Sequence, residues 1–400
     1  MSLEKKRWLY VVAGFLLLLF SGLVYAWSIF VKPLEAEFGW ARSETSLTFS
    51  ICMAMFCIGG LFAGFMTKKK SAAFNARLAA VLLCVGFVAS SRVNSLMWLY
   101  ISYGVVCGFG VGLVYNAVMG TVTKWFPDKQ GFISGILLMG FGFGGMVLGQ
   151  IAAALIASMG FRKTFIVLGV ASFVIILIGS LFIVAPDEEF IKSINIKANK
   201  KSNREKFDDM EPSDMLKRPS FWLYFVWAIL LGASGLAVIG HASPMAQLLG
   251  VSTAAATFYA GLISIFNGVG RVITGFAYDK AGRKRAMLTV NLAFMVSATI
   301  LLIAFWTKNV YMLVFGFVCI GLSYGGVTPI NSAFINSFYG TKNFTMNFAL
   351  INLNLIIASF LGPYLAGVLQ TTSGGYLTTF VCVFFFGAAG LICNFLIKRP

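Results

Sequence analysis

The sequence predicts an all-α integral membrane protein with twelve transmembrane helices, arranged as two pseudo-symmetric halves of six helices each. Three observations predict this fold class. Apolar residues make up 59% of the 400 residues and charged residues only 11%, whereas about a quarter of a soluble chain is charged. The apolar residues fall into stretches of about 20, the length that crosses a hydrocarbon core. One long polar segment divides these stretches into two sets of six.

Twelve apolar stretches are long enough to cross a membrane. The first follows the short basic segment MSLEKKRW and is longer than the apolar region of a signal peptide, which predicts an uncleaved first helix. We expect the spans near residues 8–31, 45–66, 74–91, 96–123, 131–157, 163–185, 220–242, 253–277, 287–306, 309–335, 345–369 and 376–397.

The polar segment 186–217 is charged and too long for a tight turn. We therefore predict an N-terminal half over 1–185, a cytoplasmic linker over 186–217 and a C-terminal half over 218–400. The segments YGVVCGFGVG (103–112) and FGFVCIGLSYGG (315–326) share an aromatic-Gly-x-Val-Cys pattern in the fourth and tenth spans. Such an echo is what two parallel repeats around a central cavity would produce.

The net charge of +17 comes from 31 Lys and Arg against 14 Asp and Glu. Nucleic-acid-binding proteins gather such charge on one folded face, but here it alternates between short loops, so no nucleic-acid partner is expected. With the amino terminus inside, 24 of the cations lie on the cytoplasmic side and six outside. The positive-inside rule then predicts that both termini are cytoplasmic.

The seven cysteines all fall within predicted spans, which indicates no disulfide framework. The chain has one histidine and no Cys/His cluster, so we expect no metal site. No nucleophile–base constellation suggests an enzyme, and no cofactor is expected.

The loop between spans eight and nine reads GFAYDKAGRKR (275–285). It resembles the signature of the major facilitator superfamily, Gly-x-x-x-Asp-Arg/Lys-x-Gly-Arg-Arg/Lys-Arg/Lys. The resemblance implies a rocking transporter, in which a charge network against neighbouring helix ends holds one conformation and releases another. The matching loop of the first half, GFMTKKKSAAFNAR (64–77), lacks the aspartate. The predicted gating residues are Gly275, Asp279, Gly282, Arg283, Lys284 and Arg285.

A narrower resemblance covers most of the chain. The stretches YAWSIFVKPL (25–34), EFGW (37–40), GVGLVYNAVMGTVTKWFPDKQGFISG (110–135) and FNGVGR (266–271) are similar to the bacterial oxalate/formate antiporter family, which is related to monocarboxylate transporters. Gln130 stands where that family has an arginine in its Trp-Phe-Pro-Asp-Lys-Arg-Gly loop. The resemblance implies that the substrate is a small carboxylate.

Arg271 is the one Lys or Arg placed deep inside a predicted span, away from both of its ends, and none of the 14 acidic residues lies in a span. A lone arginine at that depth costs about 3 to 15 kcal/mol if it faces lipid. It must therefore bind a substrate carboxylate, for which its guanidinium fork is suited, or backbone carbonyls. The family resemblance implies the anchor role.

Ser264, Asn267 and Arg271 are spaced i, i+3 and i+7, so they form one polar stripe on span eight. Animal monocarboxylate transporters carry an aspartate at the position of Asn267. The resemblance further implies cavity positions at Tyr25, Tyr115, Asn116, Phe141 and Tyr324.

His241, late in span seven, could share a proton with the substrate or donate a hydrogen bond near the outer mouth. Oxalate carriers of the family have a lysine in span eleven, where this chain has Ile351, or Asn352 one residue later. We include Asn352 among the substrate-binding residues. A site with one cation suits a monoanion.

We therefore expect a secondary active transporter of monocarboxylates of the lactate, pyruvate or formate type, which works by alternating access with proton symport or anion exchange. We place it, as a monomer, in the lipid bilayer of a bacterial inner membrane. The alternatives are an oxalate/formate-type dicarboxylate exchanger, an exporter of other organic compounds, and a sensor on the same fold that moves no substrate. A cation exporter would need an embedded acid, which the predicted spans lack.

Overall fold

The computed structural model describes residues 3–67, 69–187, 190 and 209–398 of the chain. Most of the predicted linker 186–217 therefore lies outside the described residues. The described ranges are α-helical with short turns, and they contain no β-strand. Within these ranges, the side chains that are not described are those of residues 3–6, 25, 42, 43, 253, 254 and 257.

In the described part of the chain, ten helical segments are long and apolar enough to cross a membrane. Two of them, Gln130–Phe182 and Phe258–Trp306, run for 53 and 49 residues. Each is broken at a glycine in the left-handed region, Gly160 with a φ of 77° and Gly282 with a φ of 77°. A side chain would strain the backbone there, whereas glycine turns it freely. Dividing both segments at these glycines turns ten segments into twelve helices, as the sequence predicts.

The first six helices carry two irregular stretches. The middle of α1 tightens into a 3₁₀-helix, and α4 becomes π-helical after its first four residues. Lys32, which follows the predicted end of the first span at residue 31, lies within the last helical piece of α1 because the chain stays helical to Phe38. The bounds are α1 Leu3–Ser21, Gly22–Ala26 and Trp27–Phe38; α2 Arg42–Met66; α3 Ala72–Ser90; α4 Leu96–Leu99, Tyr100–Cys107, Gly108–Val122 and Thr123–Trp125; α5 130–159; and α6 161–179.

The last six helices follow a short helix, Pro212–Met215. Two of them are interrupted, α10 at Gly326 and α11 at Leu353. The bounds are α7 Pro219–Leu248; α8 253–281; α9 283–306; α10 Val310–Gly325 and Val327–Tyr339; α11 Phe344–Asn352 and Asn354–Ser373; and α12 Leu377–Leu396.

Contacts between Cα atoms group the chain into two compact units. Unit 1 contains residues 1–133, 140–206 and 343–350, and unit 2 contains residues 134–139, 207–342 and 351–400. Unit 2 thus includes a short piece of α5, and unit 1 includes the first part of α11. The division into halves at 185 and 218 stays a prediction.

Both units have buried aromatic clusters and also expose large apolar side chains. In unit 1, Phe30 stacks on Phe165 with ring centroids 4.3 Å apart, and in unit 2, Tyr224 stacks on Phe334 at 3.9 Å. Large apolar side chains such as Phe65, Phe385 and Trp306 are exposed on the helices or at their ends. A water-soluble protein rarely leaves so much apolar surface open, whereas lipid tails would cover it.

Candidate functional site

Arg271 lies on α8 in unit 2 and is only 6% exposed. Gly321 and Gly325 of α10 hold it there, because a side chain on either glycine would collide with the α8 backbone, at Ile263 and at Asn267. Gly135, in the piece of α5 that belongs to unit 2, lies against the backbone of Arg271 itself. Small residues at these contacts let membrane helices approach closely. The arginine is thus fixed by packing on two sides.

The guanidinium of Arg271 uses only part of its hydrogen-bonding capacity. Its Nε donates to Oδ1 of Asn267 over 3.0 Å, and its Nη1 donates to the backbone carbonyl of Leu138. A guanidinium has five N–H donors, so three N–H bonds, both of those on Nη2 among them, have no acceptor in the described part of the chain. No carboxylate lies within ion-pair distance of Arg271 among the described residues. Its charge is buried without a counter-anion there.

Tyr324 stands beside this arginine. It belongs to α10, and its ring packs where a side chain on Gly235 of α7 would otherwise be. The Tyr324 hydroxyl lies within electrostatic reach of the Arg271 guanidinium. The structure therefore brings Asn267, Arg271 and Tyr324 together at the contact between α8 and α10, as the sequence pattern predicted for the first two.

Asn352 lies at the end of the first piece of α11, and it is buried. Its Oδ1 accepts from Nδ2 of Asn331 over 3.2 Å, and Oδ1 of Asn331 accepts from the hydroxyl of Tyr224 over 2.7 Å. This polar chain joins α7, α10 and α11 within unit 2. Sequence reasoning missed Tyr224 and Asn331, although a buried polar side chain in an apolar span is itself a signal of such a network.

His241 of α7 makes two hydrogen bonds in unit 2. Its Nδ1 lies 3.0 Å from the hydroxyl of Tyr376, and its Nε2 lies 3.1 Å from the backbone carbonyl of Pro363 in α11. The sequence predicted a polar role for this residue and left its partner open. The structure identifies these partners as Tyr376 and the carbonyl of Pro363.

In unit 1, Tyr115 and Phe141 lie in one aromatic cluster. Their ring centroids are 5.2 Å apart, and Phe56 and Phe348 pack on Tyr115 at 5.0 and 5.9 Å. Such offset and edge-on pairs favour a rigid apolar wall. Contact of these residues with a substrate stays a prediction.

Asn116, also in unit 1, bonds backbone carbonyls through its side-chain amide. Its Nδ2 donates to the carbonyls of Gly60 and Thr345 over 2.6 and 3.2 Å, and its buried Oδ1 has no protein partner among the described residues. Tyr25 lies in the 3₁₀ stretch Gly22–Ala26, and its side chain is outside the described part of the structure.

The signature loop between α8 and α9 holds the end of α12. Nη1 of Arg283 donates to Oδ1 and the carbonyl of Asn394 over 2.7 and 3.1 Å, and Nη2 donates to the carbonyl of Ile397 over 3.2 Å. The amide of Asn394 donates in return to the carbonyl of Lys284 over 3.1 Å. The last carbonyls of a helix lack partners and carry partial negative charge, so a cation stabilises them.

The other signature residues lie on α8, in the turn after it or at the start of α9. Gly282 makes the turn between α8 and α9, Gly275 is buried, and Arg285 is exposed. Asp279 is half-buried at the same end of α8. The gating role of the loop stays a prediction.

Among the described residues, no three His, Cys, Asp or Glu side chains lie together as metal ligands would. All seven cysteines are free thiols.

The profile of the Major Facilitator Superfamily matches residues 13–339 and 242–400. An oxalate:formate antiporter of Oxalobacter formigenes is 25% identical over 94% of this chain and 87% of its own length. Human monocarboxylate transporter 2 is 24% identical over 92% of this chain and 80% of its own length.

Among solved structures, a proton:xylose symporter is similar with a TM-score of 0.70 at 14% identity, and the match covers 98% of this chain and 96% of that one. This likeness confirms the predicted all-α fold of twelve membrane helices in two six-helix halves.

Proposed function

This chain belongs to the Major Facilitator Superfamily, and we propose that it is a secondary carrier of small monocarboxylates that works by alternating access. It is a multi-pass membrane transporter. The observation that carries the proposal is the buried charge of Arg271, which has no counter-anion among the described residues. The names of two relatives, an oxalate:formate antiporter and a monocarboxylate transporter, support the substrate class.

A carboxylate matches the donors that Arg271 has left. A guanidinium can present two parallel N–H bonds to the two oxygens of a carboxylate, and such charge-assisted pairs are about twice as strong as neutral ones. Asn267 holds Nε, so the Nη side of the fork remains for the substrate. We infer that the substrate carboxylate supplies the missing negative charge.

Charge counting favours a monoanion over a dianion. Arg271 is the one cation deep inside a predicted span, and the span-eleven position at which oxalate carriers have lysine is Ile351 or Asn352 here. A second carboxylate would have to be buried without a partner, which is costly. Oxalate exchange is the second candidate, favoured by the similarity to the oxalate:formate antiporter.

Asn267 cannot gain or lose a proton, so the pair that it forms with Arg271 cannot carry a coupling proton. Coupling by proton symport therefore needs another group, and anion exchange needs none. We further infer a monomer in a bacterial inner membrane with both termini cytoplasmic. Reporter fusions to each terminus would test the orientation, and an external amino terminus would contradict it.

Counterflow of radiolabelled lactate in proteoliposomes tests the function. We expect Arg271→Gln to lower lactate affinity roughly 30-fold or more, as for other charges that lose a buried partner. Arg271→Lys should keep only a little activity, because lysine cannot bind bidentately. Arg92→Gln removes an exposed cation outside the helices and is the matched control.

Normal counterflow in Arg271→Gln would overturn the anchor role. Lactate binding without any flux in the parent protein would indicate a sensor instead of a carrier. Counterflow of oxalate in preference to lactate would indicate the dicarboxylate exchanger.

A further inference from the structure

The two hydrogen bonds of His241 determine where its proton lies. The carbonyl oxygen of Pro363 can only accept, so Nε2 of the ring must carry the hydrogen that this bond needs. In the neutral ring the other nitrogen, Nδ1, is then an acceptor, and the hydroxyl of Tyr376 donates to it. Both ring nitrogens are therefore satisfied in the neutral state, in a single tautomer.

The same contacts also suit the protonated ring. A proton that arrives at Nδ1 turns this nitrogen into a donor, and the Tyr376 hydroxyl can rotate and accept it. Burial raises the pKa of the Tyr376 phenol, so the phenol stays an uncharged hydroxyl that can either donate or accept. The ring can thus change its charge without losing a hydrogen bond, which is what a reversible proton site requires.

The helix that carries His241 and the two that contain or follow its partners have no charged side chain that could compete for a proton. The stretches Pro219–Leu248, 344–373 and Leu377–Leu396 contain no Asp, Glu, Lys or Arg. The titratable groups of these stretches near this end are the phenol of Tyr364 and the thiol of Cys382, and Tyr376 directly precedes α12.

One cation stands on a neighbouring element. Phe305, near the end of α9, packs against the Tyr376 ring with centroids 6.3 Å apart, and Lys308 follows it in the turn after that helix. The remaining cations of α9, Arg283 to Arg285, lie at its opposite end. A positive charge on Lys308 close to the ring would oppose the protonation of His241. The test therefore includes a variant in which this lysine is replaced.

We propose that His241 is the proton-binding site of this carrier, with the Tyr376 hydroxyl as its reversible partner. The proposal rests on the proposed function and names the group through which a proton would couple to substrate movement. Protonation makes the bond from Nε2 to the Pro363 carbonyl charge-assisted and therefore stronger. A bound proton thus ties α7 more firmly to α11, and its release loosens the two helices.

Nuclear magnetic resonance tests proton binding directly, because His241 is the single histidine of the sequence. Protein labelled with ¹⁵N-histidine and purified without a polyhistidine tag gives one pair of imidazole signals. We expect a neutral ring protonated at Nε2 that gains a second proton at Nδ1 when the sample is acidified. A ring protonated at Nδ1 when neutral, or one that keeps a single proton down to the pH at which the protein unfolds, would overturn the proposal.

Tyr376→Phe is the informative variant for the same measurement. It removes the acceptor of the imidazolium, and hydrogen bonds of charged groups are about twice as strong as neutral ones. We therefore expect the titration midpoint to move down by roughly half a pH unit to one unit. Lys308→Gln is the control, and a larger shift from it than from Tyr376→Phe would contradict the assigned partner.

Flux separates this proposal from the proposed function. In proteoliposomes we would measure lactate uptake driven by a proton gradient and lactate counterflow at equal pH. We expect His241→Gln to lower the ratio of the two rates at least tenfold, with Arg92→Gln as the control. An unchanged ratio would refute the proton site alone, whereas absent counterflow in the parent protein would refute the carboxylate carrier and leave the resonance result to decide proton binding.

Discussion

The neutral side chain of Asn267 offers the sharpest test of the charge argument. Its Oδ1 accepts from Nε of Arg271 over 3.0 Å. The change Asn267→Asp keeps the size of this side chain and its acceptor, but it adds the negative charge that the arginine lacks in the described structure. The variant would therefore pair the guanidinium internally and compete with a substrate carboxylate.

The size of the effect follows from this geometry. A carboxylate that accepts at this distance places its charge about 4 Å from that of the guanidinium, and two unit charges interact there by about 4 kcal/mol at an effective dielectric constant of about 20. The cost of burying the new charge removes part of this energy. Because each 1.4 kcal/mol changes an equilibrium tenfold, we expect lactate to bind at least about tenfold more weakly at pH 7.

Equilibrium binding of labelled lactate to the purified protein measures this loss. Asn309→Asp is the matched control, because Asn309 caps the start of α10 through its side-chain oxygen and aspartate caps helices equally well. The melting temperature of Asn267→Asp shows whether the variant is folded. Lactate binding within twofold of the parent, in a variant that melts normally, would refute the view that the substrate supplies the counter-charge of Arg271.

Three further predictions concern the gate, the stability of α12 and substrate charge. Asp279→Asn should slow lactate counterflow with nearly unchanged affinity, since we assign Asp279 to the signature loop; a large loss of affinity at normal turnover would contradict this. Arg283→Gln should destabilise the protein by roughly 1–3 kcal/mol, because it removes the donors to Asn394 and Ile397; an unchanged melting temperature would contradict it. Lactate should compete better than oxalate in the parent, and Ile351→Lys should shift the preference toward oxalate; competition assays that show tighter oxalate binding in the parent would end the charge-counting argument.

The spans and Arg271 could be predicted because both depend only on composition along the chain. Apolar stretches of sufficient length must cross the bilayer, and a single cation inside one of them must have a role. The partners of Arg271 could be predicted only in part. Asn267 is four residues away on the same helix, whereas Leu138 is 133 residues away and is brought close by helix packing.

The interruptions of the helices show where sequence reasoning ends. Gly326 and Leu353 break α10 and α11, yet neither residue type dictates a break. What holds the chain there is tertiary structure: Asn331 and Asn352 bond each other just after and just before these breaks. The sequence of a single span shows which of its side chains are polar. The hydrogen-bond partner of such a side chain depends on the register of two packed helices, which the sequence of one span does not contain.

The two buried or half-buried arginines of unit 2 allow a comparison that bears on the anchor role. Arg283 is a structural arginine in the described contacts: both of its terminal nitrogens donate to oxygens at the end of α12. Arg271 is more deeply buried, yet only Nε and Nη1 find acceptors among the described residues. Oxygens at a helix end can accept from both terminal nitrogens of an arginine, as those of α12 do for Arg283. An arginine with a purely structural role at the position of Arg271 would be expected to have such acceptors as well. The guanidinium of Arg271 is instead fixed through Nε, and its Nη2 has no acceptor among the described residues. This is the arrangement expected of a binding group whose orientation is set before the anion binds.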